Sequence, residues 1–370
     1  MTELADLFRT YGPAYRAKFG AKMPLSHLQA MRAIEQCRTP ALSGHVYTCP
    51  DCGETLYRYH SCRNRHCPKC QHENAQRWLE QQYELQLPVP YFMLTFTLPS
   101  QLRSFARSHQ KLVYTALFRA SAEATQLLAC DPRFVGGTLG LVGVLHTWAR
   151  DLSYHPHVHY LAPAGGLADD GTTWQPSRKK FLLPVKSLSK LFRAKFRDAL
   201  RKSDDFASIP TSVWEQDWIA HCKPVGDGRT AFKYLAPYIF RVALSNRRIV
   251  KVENDQVTFR YKTNSGQTKF CTLPAEKFIH RFLQHVLPKS FVKVRYYGLF
   301  SPAHHQQLEP LRAQLTAQSA NAPTSTTDAD ASTSSETPPS STDARTVRCP
   351  ACSHIMQLQA TLPPLGRAPP

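Results

Sequence analysis

The sequence predicts an α+β fold, an antiparallel sheet covered by helices, with a cysteine-rich zinc module before it and a disordered C-terminal tail after it. Three observations carry this reading. Strand-like and helix-like stretches follow one another between about residues 85 and 300, with several strands in succession. Two CxxC pairs precede them, and after about residue 313 comes a Ser/Thr/Ala/Pro-rich run with too few apolar residues to offset its ordering entropy. The implied units are 1–82, 83–312 and 313–370. With 42% hydrophobic residues in 370, the chain can bury a substantial core.

The elements follow in order. Residues 1–82 hold a short helical pattern and then the cysteine cluster. YFMLTFTL (Tyr91 to Leu98) is rich in aromatic and β-favouring residues and reads as a strand. LGLVGVLHTW (Leu139 to Trp148), bounded by Gly136-Gly137, reads as a second. HPHVHYLAP is a third, ending at the Gly165-Gly166 turn signal. From Val185 to Ser203, Leu188, Phe192, Phe196 and Leu200 share one helical stripe while Lys and Arg crowd the other face. Thr230 to Leu244 reads as a helix in which Pro237 is best tolerated in the first turn. VTFRYK and TKFCTL form a hairpin pattern, and AEKFIHRFLQHVL is a further amphipathic helix.

The formal net charge is +19, and it does not lie in the tail: beyond residue 314 there are three arginines against four acids. An excess this one-sided suits phosphate neutralisation and a nucleic-acid partner, whereas the plainer reading is a soluble basic surface. The N-terminus lacks a basic start followed by an apolar stretch, and no apolar run approaches the roughly 20 residues of a spanning helix. The expectation is therefore a cytosolic chain without membrane contact, in which clustered cysteines bind metal rather than form disulfides.

Cys49-x2-Cys52 and Cys67-x2-Cys70 are two knuckles, separated by fourteen residues. Together they can supply four soft thiolates to one tetrahedral Zn²⁺, against the alternative of buried apolar cysteines. Cys37, Cys62 and His66, with His45, His60 and His72, lie near enough to exchange with the four or build a second site. Cys349 and Cys352, with His354, make only half a site at the end of the tail.

His157 and His159 are two apart on a strand, so both imidazoles face the same side while Val158 faces the core. They form a half-site for a divalent ion, or else a pair of hydrogen-bonded sheet histidines. His146 joins them as candidate third ligand if its strand pairs with theirs in a hairpin. Tyr234 and Tyr238, four apart, share one helix face. Spacing alone makes them an aromatic stripe, but Lys233, Arg241, Arg247 and Arg248 flank them and suit a phosphate-rich neighbour. A phenol becomes a useful nucleophile beside a metal-polarised phosphate.

Taken together, SCRNRHCPKC, HTW followed by HPHVH, FLLPVKSLSKLFR, YLAPYIFRVALSNRRI and FIHRFLQHVLPKSFVKVRYYG resemble the rolling-circle transposases of the HUH superfamily, specifically the insertion-sequence-91 family. The resemblance spans about residues 25 to 300. It implies an HUH nuclease platform with His157 and His159 as the Mg²⁺ or Mn²⁺ pair on a central strand, and Tyr234 and Tyr238 as nucleophiles on a helix above it. The implied activity is nicking and rejoining of single-stranded DNA at the ends of a mobile element through a 5′-phosphotyrosine. No GxxxxGK[ST] loop is present, which fits a reaction that stores its energy in the covalent link. Aromatics such as Trp174 or Tyr261 are candidates for stacking on unpaired bases. The rival functions are a non-catalytic zinc-containing DNA-binding regulator, a rolling-circle replication initiator of the same superfamily, and a phosphoesterase using water as nucleophile.

Overall fold

The computed structural model describes residues 3–70, 78–83, 86–240, 243–263, 265–320 and 346–365. Helix α1 (Leu4–Phe19) starts where the Glu3 amide donates to the Asp6 carboxylate at 3.0 Å, and it buries Leu4, Leu7, Phe8 and Tyr15 along one stripe. Helix α2 (Leu25–Gln36) packs against it and is followed by the hairpin β1 (Gly44–Thr48) and β2 (Thr55–Tyr59). This N-terminal unit is not self-contained. Leu4, Phe8, Met31 and Ile34 share one core with Leu244, Phe259, Phe278 and Phe282, and the Phe8 and Phe282 rings meet edge to face at 5.4 Å.

The central strands are β3 (Pro90–Thr97), β4 (Gly140–Trp148) and β5 (Tyr154–Pro163), followed by the small hairpin β6 (Gly165–Leu167) and β7 (Trp174–Pro176), then β8 (Ile219–Asp227). Strands β9 (Ile249–Glu253), β10 (Gln256–Lys262) and β11 (Thr268–Pro274) make a separate three-stranded sheet, and β12 (Val294–Gly298) returns to the main one. The main sheet runs β12-β4-β5-β3-β8, antiparallel throughout, with β5 in the middle. The predicted α+β class and the antiparallel sheet are both present. Asn254 and Asp255, both with positive φ, close the two-residue turn from β9 to β10.

Alternation sorts the main sheet into two faces. Leu94 and Phe96 of β3, Leu145 of β4, and Val158 and Tyr160 of β5 pack under α3 (Gln110–Ala129) and α4 (Val185–Leu200). The predicted stripe of α4 is buried there, with Phe192 5.0 Å from Phe96. The other face, with Tyr91, Val142, Val144 and Leu161, packs against Ala231, Phe232 and Leu235 of α5 (Gly228–Phe240). It also meets Leu308, Leu311 and Leu315 of α7 (His305–Ala320), which follows α6 (Ala275–Leu283).

Two sequence expectations are corrected here. Helix α5 begins two residues earlier than predicted because the Asp227 carboxylate accepts the Thr230 amide at 2.7 Å and caps it. Pro237 therefore falls in the last turn, not the first, where its missing N–H leaves the Lys233 carbonyl without a helical donor. The second correction concerns the chain end. Helix α7 crosses the expected boundary at 313, and β13 (Gln357–Leu362) pairs antiparallel with β1, from Gly44 opposite Leu362 to Thr48 opposite Gln357. The 346–365 segment is thus part of the folded structure, while the Ser/Thr/Pro-rich run 321–345 lies outside the described residues. Among the described residues, no helix is long and apolar enough to cross a membrane.

Gly143 lies directly opposite Tyr160, and a Cβ there would sit 2.4 Å from the tyrosine ring. Gly143→Ala should destabilise the fold by about 1–3 kcal/mol through overpacking. Urea denaturation checks this, and an unchanged midpoint would mean that the sheet core yields more easily than its packing suggests.

Candidate active site and cysteine clusters

The pairing of β4 with β5 sets His146 directly opposite His157 and Val144 opposite His159. All three histidines lie on the sheet face that carries Val142, Val144 and Leu161, which is the face covered by α5. Their ring centroids are 4.8–5.3 Å apart, and one nitrogen from each falls within 4.8 Å of the others.

Hydrogen bonds fix how the rings are presented. The His157 Nδ1–H donates to the His155 carbonyl at 2.7 Å, since a carbonyl can only accept, so its Nε2 keeps a lone pair. Thr95 on β3 holds His159 Nδ1 at 2.9 Å. Burial, and then the neighbouring His159, push His157 down to about 3, while burial pushes His159 down to about 4. Both are therefore neutral near pH 7, the form in which imidazole ligates a metal. His155, at the strand entrance as expected, accepts from an Arg103 guanidinium nitrogen at 3.1 Å.

The histidines open into a cavity of about 1090 Å³, whose other lining includes Trp148, Arg150, Arg248, Arg260, Tyr261 and Lys262. Of the predicted basic residues, Lys233 is exposed on α5 and Arg247 is exposed in the turn before β9. Arg248 faces the cavity but directs its guanidinium to the carbonyls of Ala243, Arg150 and Arg260, so it also clamps the wall. Arg241 lies outside the described residues. Tyr234 and Tyr238 are one turn apart in α5, between and beyond Ala231 and Leu235, which pack on the histidine face. Tyr261 lines the cavity, whereas Trp174 sits in β7 beside Gly165.

Thr95, Arg103, Arg150 and Arg260 escaped the sequence reading. The signal for Thr95 was present, because Thr95 and Thr97 break the apolar pattern of YFMLTFTL at every second position. The three arginines come from three separate stretches and carry no local signature.

The proposed grouping of Cys49, Cys52, Cys67 and Cys70 in one site is corrected, because the two knuckles lie in different clusters. Cys67 and Cys70 converge with Cys37, at the end of α2, and Cys62, just beyond β2. Cys70 Sγ lies 3.5 Å from Cys37 Sγ and 3.6 Å from Cys62 Sγ, near the edge of about 3.8 Å that a tetrahedron with Zn–S of about 2.3 Å requires. Cys49 and Cys52 instead meet Cys349 and Cys352. The physical reason is that β1 and β2 hold the first knuckle at the far end of their hairpin, while Cys37 and Cys62 flank its base, where the Arg38 amide donates to the His60 carbonyl. His66 is in neither cluster: it is half-buried, with Nε2 accepting the Leu287 amide at 3.4 Å. His45 and His60 stack edge to face on each other, and His72 lies outside the described residues.

A cysteine-rich module, an antiparallel sheet carrying a histidine triplet and a basic-walled cavity suit a metal-binding protein that meets a polyanion. Comparison with known proteins agrees. Residues 7–98 match the family model "Transposase zinc-binding domain", and residues 140–307, which include the three histidines and both tyrosines of α5, match the model "Putative transposase". The "Putative transposase y4qJ" of Sinorhizobium fredii (strain NBRC 101917 / NGR234) is 38% identical over 345 residues, covering 88% of this chain and 86% of that protein. The "Transposase for insertion sequence element IS801" of Pseudomonas savastanoi pv. phaseolicola is 28% identical over 285 residues, covering 72% and 68%. No solved structure matches the chain. The chain belongs to the insertion-sequence-91 family of transposases, with an N-terminal zinc-binding domain. The partner of such a protein is DNA.

Thr95 orients His159 through its hydroxyl, 2.9 Å from Nδ1. Thr95→Val, which keeps the shape and removes the hydroxyl, should weaken Mn²⁺ binding about 10- to 100-fold. Isothermal titration calorimetry reads the change, and an unaltered affinity would remove Thr95 from the supporting shell.

Proposed function

We propose that the protein nicks and rejoins single-stranded DNA at mobile-element ends, using Tyr234 and Tyr238 as nucleophiles beside a divalent ion held by His157, His159 and His146. The observation that carries this reading is the convergence of three imidazoles on the sheet face covered by α5, at a cavity with basic walls. The donor set fits such an ion: His157 keeps an Nε2 lone pair, and His157 and His159 are held by further hydrogen bonds. Nitrogen donors favour Mn²⁺ over Mg²⁺, and water and phosphate oxygens complete either shell. When bound, the ion supplies polarisation of the scissile phosphate and stabilises charge on its oxygens.

The chain's own groups account for the remaining chemistry. A tyrosine oxygen attacks phosphorus in line and gives up its phenolic proton. The bond to the 3′-oxygen breaks, that oxygen takes a proton, and the products are a 5′-phosphotyrosine and a free 3′-hydroxyl. Reversal of the same step onto another 3′-hydroxyl rejoins the strand without ATP. A second tyrosine allows one end to stay held while another is cut. Arg260, Lys262 and Arg150, on the cavity wall, supply positive charge along the phosphate path, and Tyr261 offers a face for an unpaired base. In the same reading Cys37, Cys62, Cys67 and Cys70 hold the structural Zn²⁺ of the N-terminal domain.

Incubation of the protein with labelled single-stranded oligonucleotides covering element ends, in Mn²⁺ or Mg²⁺, should give a covalent adduct on a denaturing gel. Tyr234→Phe with Tyr238→Phe should abolish it, each single variant ranks its tyrosine, and His157→Ala with His159→Ala should lower it by at least about 100-fold, as expected for loss of metal-centred charge stabilisation. Cleavage that persists without adduct in the double tyrosine variant would replace this reading with water-based phosphoester hydrolysis. Tight binding with no cleavage would support a regulator.

A further inference from the structure

We propose that Cys49, Cys52, Cys349 and Cys352 form a second structural zinc centre, one that joins the two ends of the chain into a single zinc ribbon. Neither matched family segment reaches Cys349, so the site lies partly outside both.

The four sulfurs already have the spacing of a tetrathiolate site. Cys352 Sγ lies 3.4 Å from Cys49 Sγ and 3.5 Å from Cys52 Sγ, and Cys52 Sγ lies 3.5 Å from Cys349 Sγ. These separations are far beyond a disulfide bond of about 2.05 Å and close to the edge of a zinc–sulfur tetrahedron.

The two knuckles are also built alike, although about 300 residues separate them in sequence. One reads Cys49-Pro-Asp-Cys-Gly-Glu and the other Cys349-Pro-Ala-Cys-Ser-His. In each, the residue after the second cysteine has positive φ (Gly53 at 73°, Ser353 at 63°) and donates its amide to the first cysteine's carbonyl, at 3.0 and 2.9 Å. In each, the first cysteine's amide donates to the carbonyl five residues on, Glu54 at 2.9 Å and His354 at 2.8 Å. A turn of this form aims two sulfurs to one side, and two such turns facing each other complete four-coordination.

The surroundings give the ion a structural role. Strand β13 pairs with β1 along its length, and the core beneath is only Cys49, Val347, Cys349 and Met356, with Tyr47, Leu56 and Cys352 packed against it. So small an apolar cluster does not hold a three-stranded sheet by itself, and units of this size rely on a metal. The Asp51 carboxylate meets His354 at 3.2 Å across the same junction, adding a polar contact between the knuckles. Four thiolates from a chain otherwise lacking disulfides select zinc over harder ions. The arithmetic of sulfur is also closed: of eleven cysteines, Cys130, Cys222 and Cys271 lie elsewhere, leaving eight for two four-sulfur sites.

The test is zinc content of the full-length chain by plasma mass spectrometry, with X-ray absorption at the zinc edge on the wild type. Two ions per chain are expected, both with four sulfur neighbours at about 2.3 Å. Cys349→Ser with Cys352→Ser should leave one ion, Cys49→Ser with Cys52→Ser should leave one, and all four together should still leave one. Retention of both ions in the Cys349/Cys352 variant would overturn the proposal. So would nitrogen in the zinc shell of a His157→Ala/His159→Ala chain, whose histidine site can no longer take up zinc. A wild-type chain that is dimeric by light scattering, and monomeric without Cys349 and Cys352, would show zinc bridging two copies and overturn the closure within one chain.

Discussion

The antiparallel register of β4 against β5 is the constraint from which the rest of the site follows. It sets His146 across from His157 and places His159 one step along the same face. A slip of one residue would turn every side chain of β5 over, moving both histidines beneath α3 and α4 and sending Val158 and Tyr160 to the cavity. The fold resists that slip at several points. Tyr160 is fully buried, fills the space left by Gly143, and exchanges hydrogen bonds with Ser121 and the Phe118 carbonyl on α3. Val158 is fully buried on the same side. The histidines are thus aimed by the apolar residues between them.

Two walls with different electrostatics meet at the cavity. On the sheet side, burial keeps the imidazoles neutral, and Trp148 stacks on His146 at 5.1 Å with Lys293 Nζ 5.0 Å from its own ring. Burial, and then Arg65, push that ammonium down to about 7, so even this cation is weakened beside the histidines. On the opposite side, Arg150 and Arg260 are exposed and charged, and Arg248 knits the β4–β5 turn to β10 through the Arg150 and Arg260 carbonyls. Positive charge at the walls and neutral imidazoles at the floor suit the approach of a polyanion.

The sequence made the sheet and its histidines legible because both depend on period two, which is local. HPHVH names its own face, and a glycine-bounded apolar run before it is enough to place His146. Helix α4 was legible for the same reason at period 3.6. What could not be read was pairing over distance. Cys67 and Cys70 take their partners from single cysteines at 37 and 62, which have no CxxC to announce them, whereas the tempting second knuckle belongs to the other end of the chain. The Asp227 cap lay three residues before the pattern that marked α5, so Pro237 was assigned to the wrong turn.

The contacts of the cysteine module brace the histidine-bearing sheet. Between Cys62 and Cys67, Arg65 donates to the carbonyls of Leu287, Pro288 and Phe291, and His66 accepts the Leu287 amide. Two residues before Leu287, His285 donates from Nε2 to the Leu152 carbonyl in the β4–β5 turn and lies against Thr147. Phe291 packs on Tyr114 and Phe118, under the far side of the same strands. Arg65 and His66 occupy a loop with little regular structure of its own, and the ligands on either side are what hold it. The His285 contacts satisfy a buried imidazole that would otherwise cost stability. The geometry of the histidines therefore rests in part on a cysteine cluster that contributes no atom to the cavity.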